Sequence, residues 1–185
     1  MTDDQNRQRF RDVVLPHLDD ALSLARWLTG SVSDGEDVVQ DACLRAFSAI
    51  ATVGDANPRA WLLAIVRNAA FTWLAKNRPK TLIVTDDDRV FEEARSELTG
   101  CVDAQTPESL LIAKADAEIL HRAIAALPVQ FREVLVLREI EGLGYREIAQ
   151  IASIPVGTVM SRLARARSLL IQRIGTVQSG QEGAA

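Results

Sequence analysis

Residues 145–175 read YREIAQIASIPVGTVMSRLARARSLLIQRIG, and the fold is decided by how this stretch is divided. Tyr145 to Ala152 carries apolar residues at helical spacing, Ser153-Ile154-Pro155 interrupts it, and a longer helical pattern begins at Val156. A short helix, a tight turn and a longer basic helix make a helix-turn-helix. Stepping about 100° per residue along the second helix gathers Val156, Val159, Met160, Leu163, Ala166 and Leu170 on one side, the expected core stripe. Thr158, Ser161, Arg162 and Arg165 gather on the other, where hydroxyls and guanidinium forks can reach phosphates and base edges in a major groove. Arg167 projects nearer the apolar side, toward a DNA backbone or an acidic neighbour, and Arg146 opens the preceding helix in position for a phosphate. A solvated amphipathic helix would share the basic stripe. The turn, the lack of acids from Ile148 to Gly175 and the small residues Gly157 and Ala164 on the approachable flank favour a groove binder.

Outward from this segment, charge is segregated, although the 185 residues sum to only −4. Trp27 to Leu44 holds Asp34, Glu36, Asp37 and Asp41 and no base. Pro58 to Lys80 holds Arg59, Arg67, Lys76, Arg78 and Lys80 and no acid. Asp86 to Glu108 sets eight acids against two arginines, and Ile148 to Gly175 carries four arginines alone. Two basic surfaces are thus separated by an acidic spacer.

The fold class expected from this punctuation is all-α, two small helical domains joined by an acidic linker. Val13 to Leu28 reads as a helix stopped at Thr29-Gly30. Ser33 with Glu36 forms a capping box for a helix running to about Ala51. After the turn-rich TVGDAN, Asn57 caps and Pro58 starts a helix reaching about Asn77. The expected divisions are residues 10–80, an acidic linker over 81–106, a second domain over 107–174 with helices at Pro107–Ala126, Pro128–Glu141, Tyr145–Ala152 and Val156–Ile174, and a disordered tail over 175–185.

Composition excludes several classes. A chain 48% hydrophobic and 25% charged has the balance of a soluble globular protein. No stretch approaches the roughly 18 uninterrupted apolar residues of a membrane span, and the polar start has no signal-peptide pattern, so no membrane insertion and a cytoplasmic location are expected. Cys43 and Cys101 lack companions at ligand spacing, so neither a metal nor a disulfide framework is expected. His17 and His121 are isolated, with no nucleophile, paired base or Gly-rich phosphate loop; an enzyme, a cofactor and a small-molecule substrate are not expected.

Tyr145-Arg146-Glu147-Ile148-Ala149, then Ile154-Pro155-Val156-Gly157-Thr158-Val159, Ser161-Arg162-Leu163 and Ala164-Arg165-Ala166-Arg167, together with Ala126-Leu127-Pro128, Arg132-Glu133-Val134 and Leu137-Arg138, resemble region 4 of extracytoplasmic-function (ECF) sigma factors. In the first half, Asp37-Val38-Val39-Gln40-Asp41 with Leu44-Arg45-Ala46-Phe47 resembles the region 2 helix that binds the RNA polymerase clamp, and Trp61-Leu62 with Ile65-Val66-Arg67-Asn68 the helix that handles the −10 element. The resemblance implies core RNA polymerase and promoter DNA as partners and an anti-sigma factor as regulator. It implies polymerase contacts at Asp37, Gln40, Asp41, Leu44 and Arg45, and −10 contacts at Asp55, Asn57, Arg59, Arg67, Asn68, Phe71, Lys76 and Arg78. It implies −35 contacts at Arg146, Thr158, Ser161, Arg162, Arg165 and Arg167. Two residues depart from the pattern: Thr72 stands where Asp is common and Met160 where Lys is common.

Overall fold

The computed structural model describes residues 3–53, 57–82 and 117–181, so the expected linker from residue 83 on, the first part of the helix expected from Pro107, and Asp55 lie outside the described residues, while residues 81 and 82 end a 3₁₀ turn, Pro79–Leu82. Among the described residues every regular element is helical. Pro16 divides the first apolar segment. Asp3–Val14 forms α1, Leu15–His17 a single 3₁₀ turn, and Leu18–Thr29 forms α2. The helix α1, rich in Asp, Asn, Gln and Arg, precedes anything its apolar content predicted; Phe10 and Val13 hold it to the core, and Arg9 Nη2 donates to the Val53 carbonyl at 2.5 Å.

Gly30 ends α2 at φ +72°, the left-handed conformation that a residue with a Cβ resists. The chain then turns into α3, Val32–Ala49. Its cap is Ser31 and not Ser33: the Ser31 hydroxyl accepts from Asp34 N–H at 3.3 Å, and Glu36 instead pairs with Arg26 at 3.1 Å. The reason is the extended backbone that Gly30 forces at Ser31. After a 3₁₀ turn, α4 spans Pro58–Asn77, with the Asn57 Oδ1 accepting from Ala60 N–H at 3.0 Å. Helices α2, α3 and α4 close around Leu24, Leu28, Ile50, Leu62, Leu63 and Leu74, all fully buried.

Gly35 lets α2 and α3 approach. A Cβ there would lie 2.8 Å from Arg26 Cγ and 3.0 Å from its backbone nitrogen, so Gly35→Ala forces the helices apart. Alanine favours a helix interior over glycine by about 1 kcal/mol, but overpacking costs about 1–3 kcal/mol. The variant is expected to unfold at lower denaturant with an unchanged slope; an equal or higher midpoint would show that the helices have room.

The second half comprises α5 (residues 117–125), α6 (Val129–Leu135) continued by a wider π-type stretch (Val136–Ile140), α7 (Tyr145–Ala152) and α8 (Val156–Gln181). Helix α8 continues past Ile174, where the sequence suggested a tail; neither Gly175 nor the residues after it include a proline to stop the ladder. Leu127, Leu137, Ile148, Ile151 and Leu163 form its fully buried interior, and α2 packs on α6 and α4 on α7, so the two interiors join into one core.

Candidate functional site

Three faces emerge from this scaffold. The first is on α3, where Asp37, Gln40, Asp41, Leu44 and Arg45 are all exposed and follow one another at intervals of three and four residues along one side. Asp41 and Arg45 pair at 2.7 Å, and Leu44 beside them is 71% exposed. Phe47, edge-on to Phe10 with ring centroids 5.5 Å apart, extends the apolar centre. Polar residues thus rim an exposed leucine and a partly exposed phenylalanine on this side of α3.

The second face is α8 with α7. Ser153 adopts φ 55° at the end of α7 and makes the turn. The buried stripe of α8 is Val159, Leu163, Ala166 and Leu169; Val156 and Met160, read as core from the sequence, are 38% and 54% exposed because, at about 100° per residue, they lie at and beyond the edge of that stripe. Arg146, Ser161 and Arg165 are exposed, and Thr158 is half-buried. Arg162 is drawn inward, its Nη1 4.0 Å from Glu133 Oε2, and Arg167 pairs with Glu139 at 2.6 Å, an acidic neighbour, one of the two kinds of partner expected for it.

The third face is α4 with Asn57, its cap. Asn68 and Lys76 are exposed, and Thr72 donates to the Asn68 carbonyl at 2.8 Å. Phe71 lies under the Arg67 guanidinium, 4.0 Å from ring centroid to Cζ. Arg78 closes α2: it donates to the Thr29 carbonyl at 3.1 Å and to Asp34 at 3.4 Å. The remaining members meet the other half of the molecule. Arg67 Nε donates to Glu133 Oε1 at 2.6 Å; Arg59 donates to Asp20 at 2.6 Å, to the Glu141 carboxylate at 3.0 Å and to the Glu141 carbonyl at 2.9 Å; Asn57 Nδ2 donates to Glu147 at 2.8 Å. Beside them a cavity of about 270 Å³ opens between α4 and α7, lined by Val53, Asn57, Trp61, Gln150 and Ile151 among others.

Helices in this order, with an acidic-rimmed patch, a basic helix and a helix-turn-helix, match known proteins over nearly the whole chain. The Sigma-70 region 2 family matches residues 13–80, and Sigma-70, region 4 matches residues 117–170. The RNA polymerase sigma-H factor of Pseudomonas aeruginosa is 33% identical over 168 residues, 89% of this chain and 86% of the relative. The ECF RNA polymerase sigma-E factor of Escherichia coli K12 is 35% identical over 144 residues, 76% of this chain and 74% of the relative. The chain belongs to the ECF group of the sigma-70 family. Members of this family direct promoter-specific transcription by RNA polymerase and are not enzymes. Among solved structures, the sigma factor RpoE of Bartonella quintana, in complex with the anti-sigma factor NepR, superposes with a TM-score of 0.67 at 26% identity, covering 90% of this chain and 96% of that one. CnrH in complex with the cytosolic domain of CnrY superposes at 0.60, with 25% identity over 90% and 88% of the two chains.

What sequence reasoning missed in this sigma factor are the carboxylates of region 4 that face region 2. Glu133, Glu141 and Glu147 were legible only as polar residues; the available signal was Arg132-Glu133 set between Phe131 and the apolar run Val134 to Leu137. Burial pushes the Glu133 carboxyl above its ordinary range, while Arg67 and Arg162 pull it back; burial, with the nearby Asp20, raises Glu141, while Ser23 and Arg59 pull it down. Among the described residues no helix is long and apolar enough to cross a membrane.

His121 of α5 stacks on Trp27 of α2, ring centroids 4.4 Å apart, and burial lowers its pKa below 6.5. A depressed histidine contributes stability above its unfolded value that is lost as pH falls through its folded one. His121→Phe keeps the ring contact and loses the titration. Between about pH 7.5 and about pH 5.5 the wild type should therefore lose stability relative to His121→Phe, a comparison in which the opposite titration of Glu133 and Glu141 cancels. Parallel pH profiles would remove His121 from the account.

Proposed function

We propose that this sigma factor works through the three faces separately: the α3 patch docks the polymerase clamp, α4 with its preceding loop holds the melted −10 strand, and α8 reads the −35 element. The observation that carries this reading is the coexistence, in one chain, of an uncovered apolar centre rimmed by Asp41 and Arg45 and an exposed recognition face at Arg146, Ser161 and Arg165. Charge complementarity suits the first to a basic polymerase surface, and guanidinium and hydroxyl donors suit the second to a major groove. The reading makes the cytoplasm, where core polymerase is, the place of action. A protein covering these faces, an anti-sigma factor like the partner of the Bartonella protein, is the expected regulator.

Reconstituted transcription on a promoter library tests the reading: the chain with core enzyme is expected to initiate at defined start sites that core alone does not use. Initiation at no defined site overturns it. Within that assay Arg165→Ala should cost about 1–3 kcal/mol at −35 sequences, with relaxed preference at the base it reads. Arg162→Ala should cost less, since Glu133 already holds that side chain to 24% exposure. Unchanged promoter selectivity for Arg165→Ala would take that residue out of base reading.

A further inference from the structure

The inner face of α8 is buried through Val159, Leu163, Ala166 and Leu169. At about 100° per residue, the direction opposite them falls on Gly157, Ser161, Ala164 and Ser168, which are all exposed and all small. A Cβ on Gly157 would meet nothing within 4 Å, so packing within the chain does not call for a glycine there. Met160 and Arg165 stand on either side of this narrow ridge, one apolar and one cationic. Met160 is 54% exposed, and Val156, one turn earlier on the same flank, is 38% exposed. The rest of the outward face consists of donors, Thr158, Ser161 and Arg165, and α8 contains no acid. In that company a methionine neither fills the core nor binds a phosphate. Single apolar residues on a protein surface are ordinary, but this one lies within a face that is covered when the helix enters a groove. There the major groove offers it one apolar substituent, the C5-methyl of thymine; the other groups that distinguish the bases are hydrogen-bond donors and acceptors.

We infer that Met160 reads the methyl group of a thymine in the −35 element and so sets the base preference on the flank of α8 away from Arg165. The inference rests on the assignment of α8 to the −35 element. An unbranched thioether with three rotatable bonds can extend past the small ridge and shape itself to the methyl. Guanine at the same place is disfavoured, because the groove wall formed by Met160 has no donor for its O6 and N7 acceptors. A lysine would act differently: its ammonium binds phosphate or guanine, adds affinity at any sequence and makes binding more salt-sensitive. Met160 gives up that general attraction and contributes discrimination in its place.

The test uses the full chain with core polymerase and a duplex promoter at which the pair initiates. Each −35 thymine, on either strand, is replaced in turn by deoxyuridine, which pairs identically and lacks only the methyl. The wild-type holoenzyme is expected to bind about fourfold more weakly at one of these substitutions, the worth of one buried methyl group. Met160→Ala is expected to show no loss at that thymine. Met160→Lys should show none there either, while the slope of log affinity against log salt steepens by about one. The scan on the wild type needs no variant at all. Uracil tolerated at every −35 thymine overturns the inference, and so does an equal loss in Met160→Ala. Arg165→Ala separates the inference from its premise: a changed −35 preference in that variant, beside a flat uracil scan, sinks the methyl contact alone. A holoenzyme whose −35 preference does not respond to Arg165→Ala or to Met160→Lys removes α8 from −35 reading, and the inference with it.

Discussion

Leu44→Asp is expected to lower the affinity for core RNA polymerase by about two orders of magnitude, with no change in thermal unfolding. Leu44 is 71% exposed on α3 and touches little of the core, so its loss costs the isolated fold almost nothing. At the centre of a docking patch the same position is desolvated, where an anchoring side chain is worth about 2 kcal/mol or more, and a buried, unpaired carboxylate adds its own desolvation cost. The neighbouring Asp41–Arg45 pair is about half exposed, so its rupture by Asp41→Ala with Arg45→Ala should have a smaller effect, concentrated in the association rate and its salt dependence. Competition binding of labelled chain to core enzyme measures both. An unaltered affinity for Leu44→Asp would mean that polymerase docks elsewhere.

Arg132→Leu should destabilise the fold by about 2–4 kcal/mol. Arg132 is 4% exposed, and its guanidinium donates to two carbonyls near helix ends, that of Ala125 in α5 at 2.5 Å and that of Leu28 in α2 at 3.2 Å. Carbonyls in a last helical turn have no partner within the helix, and each one left buried and unpaired costs about 1–3 kcal/mol. Against this, removing Arg132 relieves a poorly solvated charge: burial, helped by Arg78, brings its pKa down to about 10. Its Nε has no partner. The penalty for two orphaned acceptors exceeds that relief, and the net loss falls on the junction because Leu28 and Ala125 belong to different halves. Denaturant unfolding followed by two probes should lose coincidence as the halves melt apart. An unchanged midpoint would show that water satisfies both carbonyls equally well.

How far the sequence could be read depended on whether the deciding interactions were local. Helix α7 begins and ends where Gly144 and Ser153-Ile154-Pro155 said it would, and α4 where Asn57-Pro58 and Pro79 said it would, since caps and prolines act on their own neighbours. The start of α3 was misplaced by two residues because two serines compete for the cap and the choice is made by the backbone leaving Gly30. The buried stripe of α8 was right at Val159, Leu163 and Ala166 and wrong at Val156 and Met160, since periodicity gives the direction of a face but not how wide a sector of the helix its neighbours cover. The α3 patch was legible as a run of acids at helical spacing. The engagement of Arg67 by Glu133 was not: the residues lie 66 positions apart, and only the packing of α4 against region 4 brings them together.

The stacking of Trp27 on His121 gives the molecule an optical reporter of its own. The indole belongs to one half and the imidazole to the other, so any separation of the two exposes Trp27 further to water and shifts its emission to longer wavelength. Mixed rapidly with polymerase or with promoter, the unlabelled protein would announce the parting of its halves as a change in emission, and the order of capture and rearrangement could be timed without attaching a dye.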